Sequence, residues 1–267
     1  MKQITYILTI LLFSACGQSR RASDEKNTNL QIDTLDEKSM ELSFDTLRAN
    51  NYLLFFENAD RFKETDIYGD LDYRKKMTDT IKGSWFAKAR KIQDYLLDNR
   101  FQKYFYLTDT TLVLKLADGN TMSFDRYVEE RDWDKDGILG YIFAHYFDKI
   151  DYYLLIIQYY EGNSWMLVNR KNGFKKDILG LPYISEDNKK IIAINSDLVA
   201  GYDFNGIALY SILTDSLQTE FRKETEWGPL DVKWINENEF LLKREHFPEG
   251  EGNIDYKRVR IEKKTCL

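Results

Sequence analysis

Leu112-Val113-Leu114-Lys115-Leu116, followed by Asp118-Gly119 and then by Thr121-Met122-Ser123-Phe124-Asp125-Arg126-Tyr127, reads as strand, tight turn and returning strand. Asp-Gly readily takes the positive φ values that a two-strand hairpin turn requires. The same pattern recurs almost to the end of the chain. Strand-like runs cover 141–147, 152–160, 165–169, 190–194, 207–213, 232–235, 239–243 and 256–261. The connections are short and rich in turn formers: Glu161-Gly162-Asn163, Lys171-Asn172-Gly173 and Asp203-Phe204-Asn205-Gly206. Successive short strands joined by tight turns predict a mainly β fold built as an antiparallel meander.

One internal echo refines this expectation. Pro182-Tyr183-Ile184-Ser185-Glu186-Asp187-Asn188-Lys189-Lys190-Ile191 is similar to the Ser-Pro-Asp-Gly turn and strand of β-propeller blades, with Glu186 and Asn188 in place of Pro and Gly. Trp234-Ile235-Asn236-Glu237-Asn238-Glu239-Phe240 repeats the strand, polar turn, strand outline, Ile235 lying 50 positions after Ser185, a spacing within the range of propeller repeats. The resemblance implies a propeller-like assembly for the C-terminal half. An unrelated antiparallel sheet or sandwich satisfies the same pattern.

A helical segment precedes the β region. Trp85, Ala89, Ile92 and Leu96 recur at three- and four-residue spacing with Lys88, Arg90, Lys91 and Asp94 between them, which predicts a helix from Ser84 to about Tyr106, with Ser84 as N-cap. Residues 44–83 are ambiguous, the apolar run 52–56 fitting either a buried strand or a helical turn. The expected organisation is one globular domain over 44–267, helical over about 44–106 and β over about 107–267.

The N-terminal segment is of another kind. Met1 and Lys2 open an apolar run, Ile4 to Phe13, which is shorter than a membrane span and ends in Phe13-Ser14-Ala15-Cys16. These residues resemble the bacterial lipoprotein lipobox, and the chain is similar to outer-membrane lipoproteins of Bacteroidetes. The resemblance implies that residues 1–15 are a signal peptide and that Cys16 carries a diacylglyceryl thioether and an amide-linked acyl group. More than one chain makes anchoring stable, since one alone holds only marginally. Gly17, where an Asp would retain the protein in the inner membrane, points to the outer membrane, on its periplasmic face or the cell surface. Residues 16–43 are polar and charged without periodicity and read as a tether. Within it, Ser23-Asp24-Glu25-Lys26 resembles the acidic surface-export signal of Bacteroidetes lipoproteins, or is a solvated charge run.

Composition narrows the function classes. The formal charge is −6 over 267 residues and no basic cluster interrupts it, which excludes nucleic acid as a partner. Of the two cysteines, Cys16 is assigned to lipid and Cys266 stands one residue from the C-terminus, so stability rests on a core drawn from 43% apolar residues.

Candidate sites are few. Asp132-Trp133-Asp134-Lys135-Asp136-Gly137-Ile138 resembles the start of a calcium loop, in which Asp132, Asp134 and Asp136 with the carbonyl of Ile138 can converge on the ion, or else is a solvated acidic turn. Position 143, the bidentate Glu of an EF-hand, is Phe143, and Gly140 stands where other calcium loops often carry an acid. His145 and His246 are far apart in sequence and no Gly-x-Ser-x-Gly elbow or zinc motif accompanies them; His145 reads as a satisfied core or edge residue. Aromatic clusters, with Tyr160, Trp165 and Trp227 as representatives, suit a platform for a glycan or an envelope protein, or ordinary sheet packing. The expected function is therefore non-catalytic binding by a membrane-anchored lipoprotein, the alternative being an envelope hydrolase that uses a carboxylate pair among the 44 acidic residues.

Overall fold

The computed structural model describes residues 46–127, 137–160, 162–199, 201–246 and 253–264, all within one compact unit, Leu42–Leu267. The segments expected to be signal peptide and tether, Cys16, Cys266 and the acidic residues Asp132, Asp134 and Asp136 lie outside the described residues.

The chain begins with a hairpin of β1 (Thr46–Ala49) and β2 (Tyr52–Asn58), then α1 (Leu71–Thr80), α2 (Trp85–Leu96) and a π-helical turn, Leu97–Phe101. Strands β3 (Phe105–Leu107), β4 (Thr111–Lys115) and β5 (Thr121–Asp125) form a three-stranded sheet. Two four-stranded meanders follow. The first is β6 (Ile138–Phe147), β7 (Tyr152–Tyr159), β8 (Asn163–Asn169) and β9 (Lys175–Ile178). The second is β10 (Leu181–Ile184), β11 (Lys190–Asn195), β12 (Gly206–Ile212) and β13 (Leu217–Glu224). The last sheet has the order β1-β2-β16-β15-β14, where β14 is Gly228–Asn236, β15 Glu239–His246 and β16 Asn253–Lys263. Its pairings are antiparallel, and β16 meets β2 from Lys257↔Asn58 to Lys263↔Tyr52, so the first strands complete the sheet of the last ones.

The turn chemistry follows the sequence. Gly119 takes φ 90° in the β4–β5 turn, where Lys115 pairs with Thr121. Asn50, Asp151 and Asn188 hold positive φ in the turns β1–β2, β6–β7 and β10–β11, a conformation that short polar side chains tolerate. Asn188 thus serves where a propeller turn has Gly. The two halves of the sequence echo are the β10–β11 and β14–β15 turns, the first turns of neighbouring sheets, so the echo marks one whole sheet. The fold is a series of antiparallel meanders, and β2, near the start of the described residues, completes the sheet of the last strands.

Three apolar clusters join the sheets in chain order. Leu112, Leu114, Phe143 and Tyr153 pack between the first two sheets together with Ile92 and Leu96 of α2. Ile142, Leu154, Ile191 and Ala208 pack between the second and third. Leu54, Ile192, Phe240 and Val259 pack between the third and fourth. The second sheet is therefore buried on both faces, which explains why Tyr152 and Tyr153, on opposite faces of β7, are both fully buried. Of the tyrosines in this run, Tyr159 is half-buried and Tyr160, just past the end of β7, is open.

The helical segment differs from expectation in extent. Residues 44–106 also contain β1, β2 and β3, and 52–56 is strand because it pairs with β16. Helix α2 starts as read, Ser84 Oγ accepting the Ala87 N–H at 3.3 Å, but it passes into the π-helical turn and ends before β3. Strands β1, β3, β9, β10 and β13 were not expected, being short or polar, with β10 also interrupted by Pro182.

Leu54 is wholly buried on β2 at the closing seam. Leu54→Ala is expected to lower stability by about 2–5 kcal/mol, read as an earlier midpoint in urea denaturation; an unchanged midpoint would show that the seam contributes little.

Candidate functional site

The functional candidate is a cavity of about 820 Å³ at the ends of the first strands of three successive sheets. His145–Phe147 of β6, Pro182–Ile184 of β10 and Val232–Trp234 of β14 contribute to its wall. Segment 65–69 and residues of the π-helical turn and its exit, from Arg100 to Tyr104, complete it.

Local irregularity in β6 positions the central side chain. The register with β7 shifts between Phe143 and His145. Across this bulge Phe143 and Tyr146 both join the cluster facing the first sheet, while Ala144 and Phe147 join the opposite one. The freed backbone groups find side-chain partners: Gln93 Oε1 accepts the Phe143 N–H at 2.7 Å, and Arg74 Nη2 donates to the Ala144 carbonyl at 2.7 Å. Bulges of this kind re-aim side chains, and here His145 enters the cavity wall.

His145 is 6% exposed and its Nδ1 has no hydrogen-bond partner among the described residues. Tyr68, Phe101 and Phe147 meet its ring at centroid distances of 5.5, 5.4 and 4.8 Å. The expectation of a satisfied core histidine is thus half met, since it is buried but not satisfied. Burial, together with the charges of Arg74 and Arg100 and against the opposing pull of Asp66, lowers its pKa to about 3. The imidazole is neutral at pH 7.

Two cations are fixed beside it. Asp70 accepts from Arg74 Nε at 2.6 Å through Oδ1 and from Arg100 Nη1 at 2.7 Å through Oδ2. The Arg74 guanidinium also covers the Tyr68 ring at 3.8 Å. Burial pushes the Tyr68 hydroxyl up to about 12, with Arg74 opposing and Asp70 reinforcing the shift. Segment 65–69 is tied at its other end to β14, where Asp231 Oδ2 accepts the Thr65 N–H at 3.0 Å. Asp231 is buried, and burial raises its pKa against hydrogen bonds from the Thr65 and Val232 N–H groups and the Tyr183 hydroxyl. Its oxygens are committed to holding the wall together.

The carboxylates that line the cavity are Asp66, Asp148 and Glu186. Asp66 Oδ1 accepts from the N–H groups of Tyr68 and Asp70, each at 3.2 Å, and Asp148 Oδ1 accepts from the Lys149 N–H at 3.0 Å. On the cationic side are Arg100, which shares Asp70 with Arg74, and Lys103, Lys149 and Lys233. The arrangement offers fixed charge and aromatic surface around a partly open space.

The residues named from sequence fall elsewhere. Trp165 is 8% exposed in the cluster between the second and third sheets, so it presents no open ring, a correction that follows from burial of both sheet faces. Trp227 is half-buried, edge-on to Phe56 at 6.0 Å with Arg244 over its ring at 5.3 Å. Tyr160 alone of the three is open, at 73% exposure. Ile138 begins β6, paired with Tyr159; Asp132, Asp134 and Asp136 lie outside the described residues. Gly140 has φ 151°, and a Cβ there would lie 2.3 Å from the Arg126 carbonyl oxygen, so no acid can replace it without moving backbone. Among the described residues no group of three or more His, Cys, Asp or Glu side chains is placed to hold a metal. His246 ends β15, its Nε2 3.5 Å from Asp255.

Sequence reasoning missed the cavity. Its residues come from five separate segments, none periodic. The signal that locates them is the alignment of the β6–β7, β10–β11 and β14–β15 turns, which mark one end of the sheets.

A histidine whose pKa is depressed on folding is protonated more readily in the unfolded chain. Its contribution to stability is complete above the unfolded value near 6.5 and is lost as pH falls from there towards about 3. His145→Phe is expected to flatten the fall in urea midpoint between about pH 6.5 and pH 4, relative to the unsubstituted protein. Parallel curves would place the acid sensitivity in other groups.

No protein-family profile matches the chain, and neither a curated protein nor a solved structure matches it.

Proposed function

We propose that the chain is a lipoprotein anchored through acylated Cys16 to the outer membrane, and that its folded domain binds an envelope ligand, a glycan or a protein segment, without chemistry. The observation that supports binding is the cavity at the ends of β6, β10 and β14, enclosed enough to hold a small ligand or a projecting chain end. Its neutral, depressed-pKa histidine and its committed carboxylates give little to general acid–base work. The Asp231 oxygens, those of the one carboxylate beside the cavity with a raised pKa, are occupied by Thr65, Val232 and Tyr183. A hydrolase acting through paired carboxylates would need two free acids flanking the substrate; Glu186 alone of the lining acids has no hydrogen bond or ion pair within the described structure.

The anchor reading rests on the lipobox resemblance. No helix among the described residues is long and apolar enough to cross a membrane, so attachment by a spanning helix of the described domain does not arise. The cavity reading and the anchor reading are independent and are tested apart.

Cys16→Ala is expected to abolish incorporation of labelled palmitate and to move the protein from the membrane pellet to the soluble fraction; unchanged partitioning would overturn the anchor. For the cavity, envelope glycans and peptides are screened by hydrogen–deuterium exchange. Binding should slow exchange in 65–69 and 182–188. Turnover of a bound glycan that Glu186→Gln abolishes would replace binding with catalysis.

A further inference from the structure

The balance of engaged and unengaged charge around the cavity identifies the kind of ligand. Three lysines line it from three different parts of the chain: Lys103 after the π-helical turn, Lys149 in the β6–β7 turn and Lys233 on β14. Among the described residues none of the three has a carboxylate partner, the Lys103 ammonium lying instead 4.7 Å over the Tyr104 ring. On the opposing side, Asp66 and Asp148 already accept from backbone N–H groups, which leaves Glu186 as the one lining carboxylate without such a bond. The fourth cation, Arg100, is held by Asp70. Exposed cations without a carboxylate partner among the described residues also occur elsewhere, Lys171 and Lys175 among them, so what sets these three apart is that they converge on one cavity.

We propose that the cavity binds an anionic ligand, whose carboxylate or phosphate groups are gripped by Lys103, Lys149 and Lys233. This rests on the cavity reading above and gives it a ligand class. Ammonium groups carried on flexible stems around a partly enclosed space hold anions through charge-assisted hydrogen bonds, and they do so more strongly where water is displaced. Lysine suits a ligand whose anionic groups are not fixed in one bidentate geometry, because each ammonium acts as a point charge with three rotatable donors. The aromatic floor, including Phe101, Tyr146 and Trp234, adds contact for the uncharged part of the ligand. A saccharide bearing uronic acids or phosphates has both features, and carboxylate and phosphate sources are separated by the choice of probe.

The full chain in nanodiscs of zwitterionic lipid is titrated calorimetrically with trigalacturonate, with its neutral methyl ester and with inorganic pyrophosphate, and each mixture is followed by hydrogen–deuterium exchange. The expected result is binding of at least one of the two anions, with slowed exchange in 182–188 and weaker binding as sodium chloride rises from about 20 to about 200 mM. The Lys149→Gln, Lys233→Gln double variant should then bind about tenfold or more weakly, and Lys103→Gln should add to the loss. A Lys171→Gln, Lys175→Gln control, altering lysines outside the cavity lining, should bind as the unsubstituted protein does. Trigalacturonate as the tighter anion would assign carboxylates, and pyrophosphate would assign phosphate. If the methyl ester binds as tightly as the acid and protects the same segment, the cavity reading stands and the anionic ligand is overturned. Silence of all three probes in 182–188, or equal binding by the cavity and control variants, also overturns it.

Discussion

The pairing of β2 with β16 is the constraint on which the remaining geometry hangs. From Lys257↔Asn58 to Lys263↔Tyr52 the two ends of the described chain share one ladder, extended by Ala59 N–H to Tyr256 O at 3.0 Å and Lys264 N–H to Asn51 O at 2.7 Å. Leu54, Val259 and Ile261 are thereby placed in one cluster with Ile192 and Leu209 of the third sheet. Such a long-range ladder carries a loop-closure cost that grows only slowly with the length enclosed, so the many short contacts between successive sheets can be formed locally and the seam added to them. The seam also decides where the chain goes next. Leaving β2 at its paired end, the backbone reaches Thr65, whose N–H is taken by Asp231 of β14, the edge strand at the far side of that sheet.

A second constraint acts at the open edge of β6. An edge strand inside a protein must satisfy its free N–H and C=O groups. In β6 this is done by side chains from the helical segment, Gln93 at Phe143 and Arg74 at Ala144, on either side of the bulge. The helices therefore complete an edge that a sheet neighbour would otherwise cover, and their attachment fixes Arg74 and Arg100 next to His145. Gln93 is fully buried and its Nε2 lacks a partner, a cost borne for the bond made by Oε1. The functional site is built from the same contacts that attach the helices.

The long, apolar, regularly spaced elements were legible in the sequence. Strands β4 to β8, β11, β12 and β14 to β16, the N-cap of α2 and the one-sheet period of the turn echo all follow from local pattern, because each is decided within a few residues of itself. Strand β13 was not legible because its buried residues, Leu217 and Phe221, serve different clusters on the two sides of a register shift at Leu209/Tyr210, which breaks the two-residue period. Strands β9 and β10 are short, and β10 carries a proline that its edge position tolerates. The cavity was illegible for a different reason. Lys103, Lys149 and Lys233 stand in three unrelated local contexts and share a site only through tertiary arrangement. The aromatic residues that attracted notice in sequence, Trp165 above all, did so because they are large and apolar, which is the property that places them in the core.

Charge at the site is set before any ligand arrives. Asp70 holds Arg74 and Arg100 together, with its own side chain 9% exposed, so the pair of guanidiniums is ordered at the wall instead of ranging over the surface. Their field and the aromatic enclosure favour the neutral form of His145, and an imidazolium at that point would face two cations with little water to screen them. A neutral ring makes the inner wall apolar in effect while the unpaired lysines lie towards the exposed rim. A ligand entering such a space meets charge first and ring surface second. For the anionic ligand proposed, electrostatic attraction would govern encounter and orientation, and contact with the inner wall retention, a division that follows from the bulge in β6 and the side chains that fill it.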